Sequence, residues 1–161
     1  MKTEYQLSAI GHVSVAEDGY CLQLDKAYAP ALEGLEGFSY LNVLWWAHYL
    51  DNEEARAFRT CEKPYKNAPG IMGIFATRSP ARPNPLCLSV VPVIHIDYEN
   101  GKIYTPYLDA EDGTPILDIK PYHPATDRVR DVSIPDWCRQ WPEWLEDSAD
   151  FDWSTVFENA Q

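Results

Sequence analysis

Apolar and polar residues alternate along much of this chain with a period of two, the period of a strand that buries one face. The alternation predicts strands over residues 4–15 and 19–27, joined into a hairpin by the turn residues Glu17-Asp18-Gly19. After a proline- and glycine-punctuated loop from Ala29 to Gly37, FSYLNVLWWAHYL reads as a core strand, because Phe38, Tyr40, Trp45, Trp46 and Tyr49 favour pleated geometry. Asp51 to Arg59, acids first and arginines last, suits one or two helical turns. The glycine-bounded run Ile71, Met72, Ile74, Phe75 predicts a short strand. Leu86 to Val91 predicts another, with Leu86, Leu88 and Val90 on one face, continuing to Ile96 with a bend at Pro92. Tyr98-Glu99-Asn100-Gly101 holds the Asn-Gly hairpin signal and returns as KIYTPYL. Asp112-Gly113 marks a turn into a short strand from Pro115 to Ile119, and Asp118 and Lys120, two apart on a strand, share a face and could pair with one another or with a ligand.

The C-terminal segment has a different pattern. Ser133-Ile-Pro-Asp136 resembles a capping box before a short helix carrying Trp137, Trp141, Trp144 and Leu145, ended or kinked by Pro142. Many short strands with little helix predict an all-β fold, a small β-barrel with a short C-terminal helix; closure would also remove exposed sheet edges. The expected division is a barrel domain over residues 1–130 and an acidic, tryptophan-rich extension over 131–161, strapped on by its aromatics.

A chain of 161 residues, 45% apolar, fits one such core. No apolar run approaches the roughly 20 residues of a membrane span, and MKTEYQLSAIGHV lacks the apolar heart of a secretory signal. The expectation is a soluble cytoplasmic protein without a membrane partner. Cys21, Cys61, Cys87 and Cys138 lie too far apart for a zinc pattern or a compact disulfide framework, which leaves buried free thiols and no metal. The formal charge of −12 argues against a generic nucleic-acid binder. That charge is uneven, with eight carboxylates and one arginine over residues 131–161. Between Cys61 and Val90 the sign reverses, with Lys63, Lys66, Arg78 and Arg82 against Glu62. An anionic ligand is allowed there.

This basic island overlaps TRSPARPNP, where three prolines fall in the six residues from Pro80 to Pro85. Proline fixes φ and removes a donor, so the loop is stiff and extended, and it displays Arg78, Arg82 and Asn84. The residues alone leave two readings open: a pre-organised site, or a crossover whose arginines reach solvent. Likewise His48 reads as a core histidine or a ligand, and Asp112 as a hairpin-turn aspartate.

GIFATRSPARPNPLCLS and DGTPILDIKPY, in that order and spacing, together with GLEGFSYLNVLWWAHYLD, resemble the TrmO/TsaA-like family from about Ile10 to Tyr122. The resemblance implies a β-barrel that binds S-adenosylmethionine and methylates the exocyclic amine of threonylcarbamoyladenosine in the tRNA anticodon loop, as a homodimer. It implies cofactor contacts at His48, Tyr49, Arg78 and Leu88, and along Asp112, Gly113, Thr114, Pro115, Ile116 and Leu117. Two departures stand out. The family's early Pro-Arg-Gln segment has no counterpart, and Cys87 stands where the family usually has glycine. A methyltransferase for a small molecule and a non-catalytic S-adenosylmethionine-binding module remain alternatives.

Methyl transfer from a sulfonium is an in-line displacement that needs alignment and exclusion of water rather than a covalent enzyme intermediate. An aryl amine is a weak nucleophile, and acceptors for its hydrogens localise its electron pair as charge develops. Arg82-Pro83-Asn84-Pro85 offers such acceptors, which makes Asn84 and Arg82 the candidate catalytic residues. Arg78 suits a two-pronged contact to a carboxylate.

Overall fold

The structure, a computed structural model, describes residues 4–17 and 19–159. Nine strands run along the described chain: β1 (Gly11–Ala16), β2 (Gly19–Leu24), β3 (Tyr40–Trp46), β4 (Thr60–Glu62), β5 (Ile71–Gly73), β6 (Leu86–Pro92), β7 (His95–Asp97), β8 (Lys102–Thr105) and β9 (Pro115–Pro121). Two short α-helices accompany them, α1 (Glu53–Ala57) and α2 (Pro124–Asp127). The chain divides into two compact units, one joining the chain up to Tyr49 with Pro85–Arg128, the other joining Leu50–Asn84 with the chain from Val129 onward.

The first unit is a seven-stranded antiparallel sheet in the order β6-β3-β9-β1-β2-β8-β7. Laid flat, its outer strands would stand six spacings of about 4.8 Å apart, or about 29 Å. Yet β6 and β7, the two edges, are joined only by Val93 and Ile94. A chain spans at most about 11 Å from Pro92 to His95, so the sheet must curl until its edges meet at that corner. The hydrogen bonds agree: Val93 N–H donates to the Ser39 carbonyl (2.9 Å) ahead of β3, and Ile94 N–H to the Tyr104 carbonyl (2.8 Å) on β8. The bend expected at Pro92 therefore falls one residue later and carries the chain across the barrel seam.

Alternation fills the barrel. Val13, Leu22, Leu24, Leu41, Val43, Val91, Ile103 and Ile116 point inward and are buried. Trp45 joins them with its indole N–H satisfied by Ser89 Oγ at 3.0 Å. Leu86 and Leu88 share a face as expected, but it is the outer one, 41% and 46% exposed. The hairpin β1–β2 forms, though its first strand starts at Gly11 rather than residue 4; Asp18 of its expected turn lies outside the described residues. Gly11 is required by packing, since a Cβ there would sit 2.2 Å from the Gln23 carbonyl oxygen. Asp118 and Lys120 do pair, at 2.5 Å, in the open where such a pair adds little stability.

The unit ends in a small latch. Asp127 on α2 accepts from Asn42 Nδ2 (3.1 Å), the His123 N–H (2.7 Å) and the Thr126 hydroxyl (3.2 Å). These donors, the His123 N–H foremost, hold its carboxyl below the usual aspartate range. The folded state therefore keeps Asp127 ionised at acidities where the unfolded chain takes up the proton. The stability it confers is full above the ordinary aspartate pKa of about 3.9 and is lost as pH falls through the folded value. Urea unfolding between neutral and acid pH should show a shallower acid loss for Asp127→Ala than for the parent. Identical acid limbs in the two proteins would contradict the latch.

In the second unit, β4 and β5 form a ribbon, and α1 is capped by Asn52 Oδ1 accepting the Ala55 N–H at 2.9 Å. Its core is aromatic. Tyr65 is buried, stacked on Trp137 at 5.2 Å and edge-on to Trp141 at 5.0 Å, with Met72, Trp153 and Val156 around it. The C-terminal segment thus packs with residues 50–84. In place of a continuous helix it carries separate 3-10 turns at Asp136–Cys138, Leu145–Ser148 and Trp153–Thr155. Pro142 removes a helical donor, and what holds the segment is ring contact with Tyr65 rather than one apolar helix face. Trp144 and Leu145, expected on that face, are half exposed at 52% and 50%. The Trp141 N–H has no conventional partner among the described residues. Its indole packs in edge-to-face arrangements with Tyr65, Trp137 and Trp153 at 75–79°. All four cysteines are free thiols, with Cys138 buried and the other three half-buried. No helix of the described residues is long and apolar enough to cross a membrane.

Candidate functional site

Within the barrel, the residues expected to hold a cofactor gather at one end of three adjacent strands. β3 runs antiparallel to both neighbours, so its C-terminal end meets the starts of β6 and β9, with Trp46 opposite Leu86 and Trp45 opposite Ile116. His48 and Tyr49 follow β3, Leu88 lies near the start of β6, and Asp112 to Leu117 lead into β9.

These positions are not equivalent. Ile116 and Thr114 are sealed in the core at 0% and 1% exposure, so their side chains face the barrel interior rather than a ligand. Asp112 Oδ1 accepts the Val15 N–H at 2.9 Å, while the Gly113 N–H donates to the Val13 carbonyl and the Thr114 carbonyl accepts from Val13, both at 2.8 Å. Gly113 sits at φ +77, where glycine is favoured. Asp112 thus serves the turn, and what this stretch presents outward is backbone together with half-buried Pro115 and Leu117. Leu117 is an extra residue against β3: Leu44 pairs with Asp118 but Trp45 with Ile116, a bulge that redirects the strand where the site residues begin.

Tyr49 is 69% exposed, its ring 4.0 Å from that of His48. His48 Nδ1 is enclosed and has no hydrogen-bond partner among the described residues. A buried polar nitrogen without a partner costs about 1–3 kcal/mol, which a bound donor or acceptor would recover. That orphan, beside an exposed tyrosine, suits a ligand with one polar edge and an apolar body.

The proline-braced loop belongs to the second unit. Ile74 to Ala76 form a 3-10 turn rather than the expected extension of β5. Ile74 is buried and its N–H donates to the Arg59 carbonyl at 3.0 Å. Thr77 closes the turn twice on the Ile74 carbonyl, through N–H (3.1 Å) and Oγ1 (2.8 Å). Arg82, half-buried, folds back on its own loop: Nη1 donates to the Thr77 and Ser79 carbonyls at 3.5 and 3.4 Å, and its guanidinium stands 5.9 Å from the Phe75 ring centre. Arg82 therefore acts on loop shape. Arg78 and Asn84 are exposed, and the Asn84 side chain carries no hydrogen bond among the described residues. Pro85, next in the chain, is fully buried and its carbonyl accepts the Ala47 N–H at 2.8 Å.

Two supports were not apparent from sequence. Arg56 on α1 is ion-paired with Asp51, which raises its pKa mainly through their hydrogen bond, and donates from Nη1 to the Pro83 carbonyl at 3.3 Å. Arg56 so fixes the residue before Asn84. Tyr65 receives a backbone hydrogen bond from Arg78, though burial still pushes its phenol up. The aromatic cluster is thereby tied to the loop.

Comparison with known proteins identifies the family. The chain is 35% identical over 129 residues to a probable S-adenosyl-L-methionine-binding protein of Methanothermobacter thermautotrophicus, covering 80% of this chain and 85% of that protein. It is 40% identical over 109 residues to the tRNA (adenine(37)-N6)-methyltransferase of Escherichia coli, covering 65% of this chain and 45% of the enzyme. A crystal structure of TrmO from Pseudomonas aeruginosa superposes with a TM-score of 0.61 at 28% identity, covering 81% of this chain and 62% of that one. The chain thus spans less than two thirds of the length of both TrmO relatives. Residues 11–128 match the tRNA-methyltransferase O N-terminal domain, and the chain belongs to that family.

Proposed function

We propose that this protein is an S-adenosylmethionine-dependent methyltransferase that modifies tRNA, acting on the exocyclic amine of threonylcarbamoyladenosine in the anticodon loop, as a homodimer in the cytoplasm. The observation that carries the reading is Asn84: an unbonded side-chain amide on a loop whose neighbours are tied down by Thr77, Arg82 and Arg56. A rigid frame with one free acceptor is what activation of a weak aryl amine requires.

His48 Nδ1, the Tyr49 ring, Leu88 and the backbone from Asp112 to Leu117 are the groups that would hold the cofactor. When bound, it supplies an electrophilic methyl group on a sulfonium. Asn84 Oδ1 accepts a hydrogen of the substrate amine and keeps its electron pair directed outward from the ring. Arg78 offers a two-pronged contact for a carboxylate, the cofactor's or the threonyl group's. Arg82 and Arg56 hold the loop in the form that presents both. With one lone pair of the Pro83 carbonyl engaged by Arg56, the Asn84 side-chain oxygen is the more open acceptor of the two.

The test is incubation of the purified full chain with isotope-labelled S-adenosylmethionine and tRNA from cells lacking the protein, followed by mass spectrometry of the nucleosides. Labelled methyl on threonylcarbamoyladenosine is the expected result. Cofactor binding without any methylated tRNA nucleoside would instead support a small-molecule enzyme or a binding module. His48→Ala should weaken cofactor binding about 10-fold, the worth of one recovered buried polar group, in calorimetry on the same material. An unchanged dissociation constant would remove His48 from the site.

A further inference from the structure

Phe75 is 78% exposed although it stands on one of the most constrained turns of the molecule. Its neighbour Ile74 is 3% exposed and pinned to Arg59, and Thr77 locks the turn through two bonds to one carbonyl. The ring is held outward while its backbone is fixed. Phenylalanine has no polar atom to gain from water contact, and here its backbone is held so that the ring faces outward. Behind the ring stands the Arg82 guanidinium, itself tethered to two loop carbonyls. A cation at that distance is attracted to the ring and restrains it.

The surrounding charge indicates the partner. The stretch that carries the ring, residues 67–84, holds Arg78 and Arg82 and no carboxylate in a chain of −12. Elsewhere in the same unit Lys63 is paired with Glu158 and Arg56 with Asp51. An exposed, immobilised aromatic face on the basic stretch of an acidic protein fits a flat, polarisable ring attached to phosphate. Single-stranded nucleic acid binds by this combination of stacking and charge.

We infer that Phe75 is a stacking platform for an unpaired nucleobase of the RNA substrate. The inference rests on the tRNA reading above and adds to it a contact that selects a single-stranded loop, where bases are free to leave the stack.

The experiment compares the parent protein with Phe75→Ala, Phe75→Leu and Phe75→Trp. Affinity is measured for an RNA stem-loop with 2-aminopurine in its loop and for S-adenosylmethionine alone. Loss of one base stack should weaken RNA binding about 5- to 150-fold in Phe75→Ala, with cofactor affinity unchanged. Phe75→Trp should retain RNA binding and quench the 2-aminopurine, while Phe75→Leu, equally apolar but without a π face, should not rescue it. Its retained fold is checked by the tryptophan fluorescence of the aromatic cluster in the same unit. Equal RNA affinity across all four proteins overturns the inference while leaving the tRNA reading intact. Rescue by leucine overturns it in favour of plain apolar contact. Parallel loss of cofactor affinity overturns it in favour of the cofactor's own purine. If the parent binds no RNA, the tRNA reading falls and takes this inference with it.

Discussion

Asn84→Ala is expected to lower the rate of methyl transfer to tRNA by about 10²- to 10³-fold, the usual loss for one pre-organised polar group at a reacting centre. Cofactor and tRNA affinities should barely change, because the side chain contributes as charge develops on the amine rather than to binding. Asn84→Asp keeps an acceptor oxygen and should retain much of the rate. Equal losses in the two variants would assign the role to the amide N–H and withdraw the acceptor argument. Arg56→Ala supplies an indirect version of the same test. It frees the Pro83 carbonyl and loosens the residue before Asn84, so kcat should fall with KM nearly constant, and Arg56→Lys should restore part of it.

Tyr65→Ala should produce the largest loss of stability. It removes a 9%-exposed ring that touches Trp137, Trp141 and Phe157, and truncating a buried aromatic of this kind costs about 3–5 kcal/mol. The loss should appear as a lower urea midpoint in tryptophan fluorescence, which reports the cluster directly. Tyr65→Phe keeps the stack and forfeits only the bond from Arg78, at about 1 kcal/mol. A midpoint for Tyr65→Ala within error of the parent would mean that the aromatic cluster does not hold the unit together.

How much of this was legible beforehand follows from which interactions are local. The β1–β2 hairpin, β3, β6 and the Asn-Gly turn before β8 are written in period-two alternation and turn chemistry, and all appear. Stiffness of the TRSPARPNP loop was readable from its prolines. The 3-10 turn at Ile74 was not, because its cause is a threonine closing back on one carbonyl, whereas Ile71 to Phe75 has the composition of a strand. The C-terminal segment misled for a related reason. Trp137 and Trp141 do sit at helical spacing, but their partner is Tyr65, more than seventy residues earlier. Arg56 looked like a dipole-compensating residue of α1; its bond to Pro83 crosses 27 residues and leaves no local signature. Pattern also could not divide the Asp112–Leu117 stretch. Alternation puts Thr114 and Ile116 on one face, and only the strand order shows that face to be the core.

The strand order has one more consequence, for how the protein is made. β9 occupies the middle of the sheet, between β3 and β1, yet it is the last of its strands to be synthesised. Until residues 115–121 clear the ribosome, the nascent barrel exists as two fragments, β6 with β3 on one side and β7, β8, β2 and β1 on the other. Nothing shields Val43 or Val13 from water in that interval. Such long-range closure is slow compared with helical folding and leaves the growing chain sticky. Chaperone attention during translation should therefore peak just before Pro115 emerges and fade once the keystone strand has slotted home.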